Sequence, residues 1–266
     1  QWLEEAGSED SHARALWAVG TGVGRSRHEG HRRLCVQLFE RGLPAVDSFS
    51  SPRAWAFTLL GIHEYLRSFP TNTSMNSARV ILTDKLVTLW KNCATENWPW
   101  FESSATYDNA RLCQALILSG QWTPNAEALA IGLKSLRWLV SIQKTQAGHF
   151  RPIGSNGFYQ RDGARADFDQ QPVEAQAMIS ACLEAYRATQ DPAWQREAQR
   201  AFEWFLGRND LGQPLYDSST GGCSDGLHHD RISENQGAES SLAFHLSLAE
   251  MNYADYPITV PLLPVV

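Results

Sequence analysis

The chain lacks most of the features that mark the common binding classes. It has no basic run, and 23 Lys and Arg stand against 29 Asp and Glu for a net charge of −6. That balance excludes the electrostatic footprint of a nucleic-acid binder. No run of 18 apolar residues occurs, so no membrane span is expected. No signal-peptide core is evident either. The five cysteines (Cys35, Cys93, Cys113, Cys182 and Cys223) are odd in number and lack metal-ligand spacing. Three of them, Cys35, Cys113 and Cys182, fall in helical apolar patterns, where a free thiol packs as a small hydrophobe. These absences predict a cytoplasmic protein in a reducing compartment. Gly-x-Gly-x-x-Gly, the P-loop and the Gly-x-Ser-x-Gly elbow are all missing, so no nucleotide, cofactor or serine-hydrolase chemistry is implied. Strand patterning is almost absent.

What the chain does have is a recurrence. Five times a turn-rich stretch of acids, amides and arginines runs into a helix of small and apolar residues. The joins are Asp10–Arg14, Ser51–Trp55, Thr106–Ala110, Asp169–Glu174 and Ser233–Glu239. Spacing of roughly 40–65 residues marks a helical-pair repeat. Helices that are apolar nearly all round alternate with amphipathic ones. The first kind, at 12–23, 53–66, 109–119, 173–186 and 238–251, must be buried on most sides. The second kind, at 31–43, 77–90, 127–142 and 193–206, carries one apolar stripe and one charged face. Ser51-Pro52, Thr123-Pro124 and Asp191-Pro192 each place an N-cap residue before proline, and Ser233-x-x-Gln236 has capping-box spacing. The expectation is a single domain, 1–266, of about nine helices in the order inner, outer, inner, outer. Small hairpins are predicted at 148–158 and 213–217, and an extended proline-rich tail at 253–266.

Long connections, 92–106, 143–168 and 207–233, all precede inner helices. Loops beyond about 12–15 residues in a compact domain are usually functional or disordered. These are rich in Trp, Phe, Arg, His and Gly, which favours function. Trp98 and Trp100 crowd the first of them. Indole faces suit pyranose C–H surfaces, which makes both rings sugar-binding candidates; the alternative is that they plug the loop onto the core.

Alternating inner and outer helices with polar inner-helix starts resemble the (α/α) toroid of the six-hairpin glycosidases and the N-acylglucosamine 2-epimerase-like proteins. Trp100-Phe101-Glu102 followed by Tyr107-Asp108-Asn109-Ala110-Arg111-Leu112 is similar to a recurring inner-helix start in that superfamily. Phe168-Asp169-Gln170 resembles another. The resemblance covers nearly the whole chain as architecture and implies an all-α toroid with carbohydrate chemistry at its centre. Two departures stand out. Nine helices fall short of twelve, so the ring is expected to be open, smaller or completed by a further segment. The paired inner-helix histidines of the epimerases are not evident.

Cleaving a glycosidic bond needs an acid for the leaving oxygen and a carboxylate to activate water or attack the anomeric carbon. Carboxylates at inner-helix starts rank first. Asp108, expected just inside the third inner helix, suits a base or nucleophile because the helix dipole favours its ionised form. Glu102, among apolar rings, suits a proton donor. Asp167 and Asp169 bracket Phe168 and are the further catalytic candidates. Asn109, Arg111, Arg165, Gln170, Glu174, Glu234, Asn235 and Glu239 have the carboxylates, amides and guanidinium groups that bind sugar hydroxyls. The glycine-rich loop 221–231 adds His228 and Asp230 as substrate contacts. Adjacent histidines cannot easily converge on one ion and no known metal motif is present, so no metal is expected. The sequence therefore predicts a saccharide as partner and a glycoside hydrolase-like activity. A sugar epimerase of the same fold, using His228 or His63, or a non-catalytic glycan-binding protein, are the alternatives.

Overall fold

The computed structural model describes residues 7–254. Among them are nine α-helices: α1 (Glu9–Arg25), α2 (Glu29–Gly42), α3 (Pro52–Ser68), α4 (Thr73–Cys93), α5 (Ala110–Trp122), α6 (Ala126–Ile142), α7 (Pro172–Thr189), α8 (Pro192–Phe205) and α9 (Ala238–Tyr253). Each coincides with one of the helices expected from periodicity. A 3-10 helix, Leu43–Ser48, follows α2. None of the described helices is long and apolar enough to cross a membrane. The five cysteines are free thiols. Most of the expected tail, 253–266, lies outside the described residues.

The helix starts show which boundary signals were physical. Ser51 accepts from the Ala54 N–H and Asp191 from the Ala193 N–H at 2.9 Å, each ahead of a proline at the first helical position. At α6 the expected cap was Thr123, but Asn125 fills the position, its side chain accepting from the Ala128 N–H at 3.0 Å. At α9 the Ser233–Gln236 capping box does not form. Gly237 is the N-cap residue. Its N–H donates to Asp225 at 2.7 Å, so a carboxylate from a distant loop replaces the local cap.

Two compact units divide the chain: Gln1–Asn92 with Arg111–Gly132, and Cys93–Ala110 with Leu133–Val266. In the first, α1 packs along α3 with backbone against backbone. A Cβ on Gly61 would lie 2.8 Å from the Leu16 carbonyl oxygen, and one on Gly20 would strike the Gly61 backbone. Only glycine permits that approach. It brings Trp17 onto the buried Phe57 ring, stacked at 6.0 Å, beside Ala13 and Ala54.

The first unit also buries a titratable group. His63 on α3 is 8% exposed and meets Trp122 edge-on at 5.2 Å. Burial, opposed by the Glu64 charge and aided by Arg67, Arg79 and Arg25, pushes its pKa down from 6.5 to about 4. Between those two values the unfolded chain binds a proton that the folded chain refuses. Stability therefore falls as pH drops from 6.5 toward 4, by up to about 3 kcal/mol. Urea unfolding of wild type and His63→Gln at pH 7 and pH 5 checks this. The variant is expected to lose much less stability than wild type, and equal losses would refute the assignment.

In the second unit, α7 is buried from Glu174 to Ala185 and packs on α8 and α9. Phe202, Phe205, Phe244 and Tyr216 form its aromatic seam, with Tyr216 stacked on Phe244 at 4.1 Å. Residues 216–217 (β3, Tyr216–Asp217) pair antiparallel with β4 (Gly222–Cys223), extending the short hairpin expected there. The hairpin expected at 148–158 takes another form. Phe150 bridges Lys144, while β2 (Tyr159–Gln160) pairs with β1 (Ser104–Ala105) from an earlier loop. Ladder partners distant in sequence are invisible to local alternation.

Candidate active site

The second unit holds most of the residues singled out from sequence, and one local register organises them. Gln170 and Leu227 exchange two backbone hydrogen bonds of 2.9 Å. In an antiparallel pair their neighbours Asp169 and His228 are then directly opposite. Gly226 makes this possible, because a Cβ there would sit 2.8 Å from the Gln170 carbonyl oxygen. The outcome is a 2.5 Å contact between His228 Nδ1 and an Asp169 carboxylate oxygen. Both side chains reach the surface, His228 at 30% and Asp169 at 41% exposure. The peptide bond preceding Asp169 is cis.

Behind this pair lies a charged network. Asp167 is held by Arg151 at 3.0 Å and by Arg165 at 2.5 Å, which ties it up as an ion-pair partner. Arg151 also clamps Asp210, to which His149 adds a contact at 3.0 Å. Gln170 is fully buried and reads both sides: its Nε2 donates to Asp210 at 2.6 Å, and its Oε1 accepts from the Trp204 indole at 2.8 Å. Burial acts to raise the Asp210 pKa, but hydrogen bonds from Arg151, Gln170 and His149 outweigh it and hold the carboxyl below its ordinary value. Asp210 therefore stays ionised and fixes the residue next to Asp169. No local pattern marks this residue. Asp210 follows α8 in an Asn-Asp-Leu-Gly turn, where an acid reads as ordinary turn chemistry.

A second knot joins the stretch before α5 to α7. The Asp108 N–H donates to Glu174, and Asn109 Nδ2 donates to the other Glu174 oxygen at 3.2 Å and to the Thr106 carbonyl at 3.0 Å. Asp108 was expected inside the helix. It lies two residues before α5 with φ of 48°, a left-handed conformation that Asp tolerates better than most residues. It has 0% exposure. In this structure protein encloses its side chain, whereas that of Asp169 reaches the surface.

The aromatic loop is corrected too. Trp98 is 3% and Trp100 0% exposed. Trp98 meets Trp138 at 4.8 Å and Tyr159 at 4.9 Å, and its indole N–H donates to the Glu102 carbonyl at 2.7 Å. Both rings plug the loop onto the core and have no face left for a sugar. Glu102 itself is half-buried. Arg111 belongs to the first unit, where its guanidinium lies over Trp17 at 4.6 Å and donates to Gln114 at 2.7 Å. The last group of candidates is exposed. Asp230 pairs with Arg231 at 3.0 Å, while Asn235 donates to Asp225, and Glu234 and Glu239 face solvent around the start of α9. Among the described residues, no three His, Cys, Asp or Glu side chains are grouped as metal ligands.

No family model and no curated protein matches the chain. Solved structures do. An unsaturated glucuronyl hydrolase specific for heparin superposes with a TM-score of 0.69 at 11% identity, over 93% of this chain and 68% of that one. A GH76 α-mannanase from Bacteroides thetaiotaomicron gives 0.64 at 11%, over 92% and 69%. The shared feature is the fold, an (α/α) toroid. The Lin0763 protein of Listeria innocua is similar over 94% of this chain and 86% of its own, with a TM-score of 0.62 and 9% identity. At such identities the likeness establishes a glycosidase-like, all-α fold and leaves the activity to the residues.

Proposed function

We propose that the chain is a carbohydrate-active enzyme that hydrolyses a glycosidic bond, with Asp169 and His228 as its proton-transfer pair. The observation that carries this reading is their 2.5 Å contact at half-exposed positions on a glycosidase-like fold. A carboxylate on Nδ1 orients the imidazole and fixes its tautomer. Nε2, which makes no hydrogen bond among the described residues, is then the atom that exchanges a proton with substrate or water. Arg165 and Arg151 occupy the Asp167 carboxylate, so it buttresses the loop without touching substrate. Asn109, Gln170 and Glu174, all buried, serve the same end from α7 and the loops before α5 and α7. The exposed Asp230, Glu234, Asn235 and Glu239 remain as the hydroxyl-binding candidates.

The same pair suits proton transfer at a sugar carbon, which is the epimerase reading. One experiment separates the two. The protein is incubated with an oligosaccharide panel in heavy-oxygen water and, in parallel, in deuterium oxide. Hydrolysis yields shorter sugars carrying one heavy oxygen per bond cleaved. Epimerisation yields intact sugars that gain deuterium at carbon. Intact, unlabelled sugars throughout would overturn the enzyme reading in favour of glycan binding alone.

A further inference from the structure

The second unit carries a concentration of positive charge that the candidate active site does not use. The end of α6 and the outer side of α8 border a cavity of about 390 Å³ lined by Lys144, Arg196, Arg200, Arg208, Gln199 and Glu203. Four cations face one carboxylate there, in a chain whose net charge is −6. Two of the four are compensated: Arg200 pairs with Glu197, and Arg208 pairs with Glu203 at 2.6 Å. Lys144 and Arg196 have no carboxylate partner among the described residues. An ordinary solvated helix face alternates signs, and its arginines find acids three or four residues away. Arg196 does not.

Two further observations concern the same cavity. The Arg200 pKa is lowered, first by burial and next by the like charge of Arg208, so the guanidinium groups disfavour one another in the absence of an anion. Gln199 donates from Nε2 to Glu203 at 3.2 Å and leaves its buried Oε1 with no partner. Guanidinium forks match tetrahedral oxyanions. The volume lies in the range of small-molecule sites and exceeds the needs of one inorganic anion.

We propose that this cavity binds a small ligand bearing a phosphate or sulfate ester. Arg196 and Lys144 supply the unspent charge, and Arg200 and Arg208 the flanking forks. The site is independent of Asp169 and His228, and stands whether or not the chain cleaves a glycosidic bond.

Titration calorimetry at fixed ionic strength tests it, with inorganic pyrophosphate as the first probe. Wild type is expected to bind one equivalent saturably, at least tenfold more tightly than Arg196→Gln/Arg200→Gln. Arg196→Gln alone, which breaks no ion pair, is expected to weaken binding severalfold and covers the case of a poorly folded double variant. Arg27→Gln/Arg32→Gln removes the same charge from the first unit and is expected to bind as wild type does. Absence of saturable binding, or equal weakening in the control, would overturn the proposal. Glucose 6-phosphate and glucose 6-sulfate then identify the ester: uptake of one or both supports the site, and uptake of neither refutes its ligand class.

Discussion

Replacing Asp169 by Asn is expected to lower turnover on any confirmed substrate by about 10²–10⁴-fold, the usual weight of a positioned acid–base group. Asn can still meet the imidazole, but its amide can donate as well as accept and so can select the other tautomer. His228→Gln is expected to lose a similar factor. Because the two residues act as a pair, the double variant should be little worse than either single one. Losses that multiply would show that the two act separately. Asp108→Asn is the informative contrast. Its backbone N–H donates to Glu174, a contact that Asn keeps, and Asn accepts the left-handed conformation at least as well as Asp. A small effect is expected. A loss equal to that of Asp169→Asn would restore Asp108 to the first place that its sequence position suggested. Unchanged unfolding curves for all three variants keep the kinetic reading clean.

The fold was largely legible because its signal is local and repeated. Trp55, Phe57, Leu59, Leu60 and Ile62 cover every face of α3, and nothing but an inner helix accommodates that. In α8 the stripe of Ala198, Phe202 and Phe205 is equally plain, and all three are buried. The arrangement of the candidate site was not legible. Asp169 and His228 were both candidates, yet their pairing depends on the Gln170–Leu227 register across 57 residues of chain, and no pattern in either segment encodes it. Asp167 shows the same limit from the other side. As a residue type it is as good a catalyst as Asp169, but Arg151 and Arg165 converge on one of the two acids only. Asp210 was missed because its role exists only through three partners drawn from distant loops. The capping error at α9 has that origin too: Ser233 and Gln236 have the right spacing, but Asp225 reaches the Gly237 N–H first.

Trp100→Ala is expected to destabilise the protein by about 3–5 kcal/mol, the cost of removing a large buried ring and leaving a cavity. The ring is fully buried against Trp138 at 5.3 Å and Phe101 at 5.3 Å. The loop that carries it is pinned to α6, where Ser135 donates to the Pro99 carbonyl at 2.8 Å. The indole N–H of Trp100 has no hydrogen-bond partner among the described residues. Phe keeps most of the packing and removes that stranded donor, so Trp100→Phe is expected to cost well under half as much as Ala. Chemical denaturation of the two variants measures the difference, and glycan affinity measured on the folded fraction gives it meaning. If the loop is a plug, Trp100→Phe retains full affinity while its stability shifts. If the ring were a sugar platform, affinity would fall with little change in stability. The two outcomes differ on both axes, because a ring that packs against protein on each side contributes to folding and has no free face for a sugar.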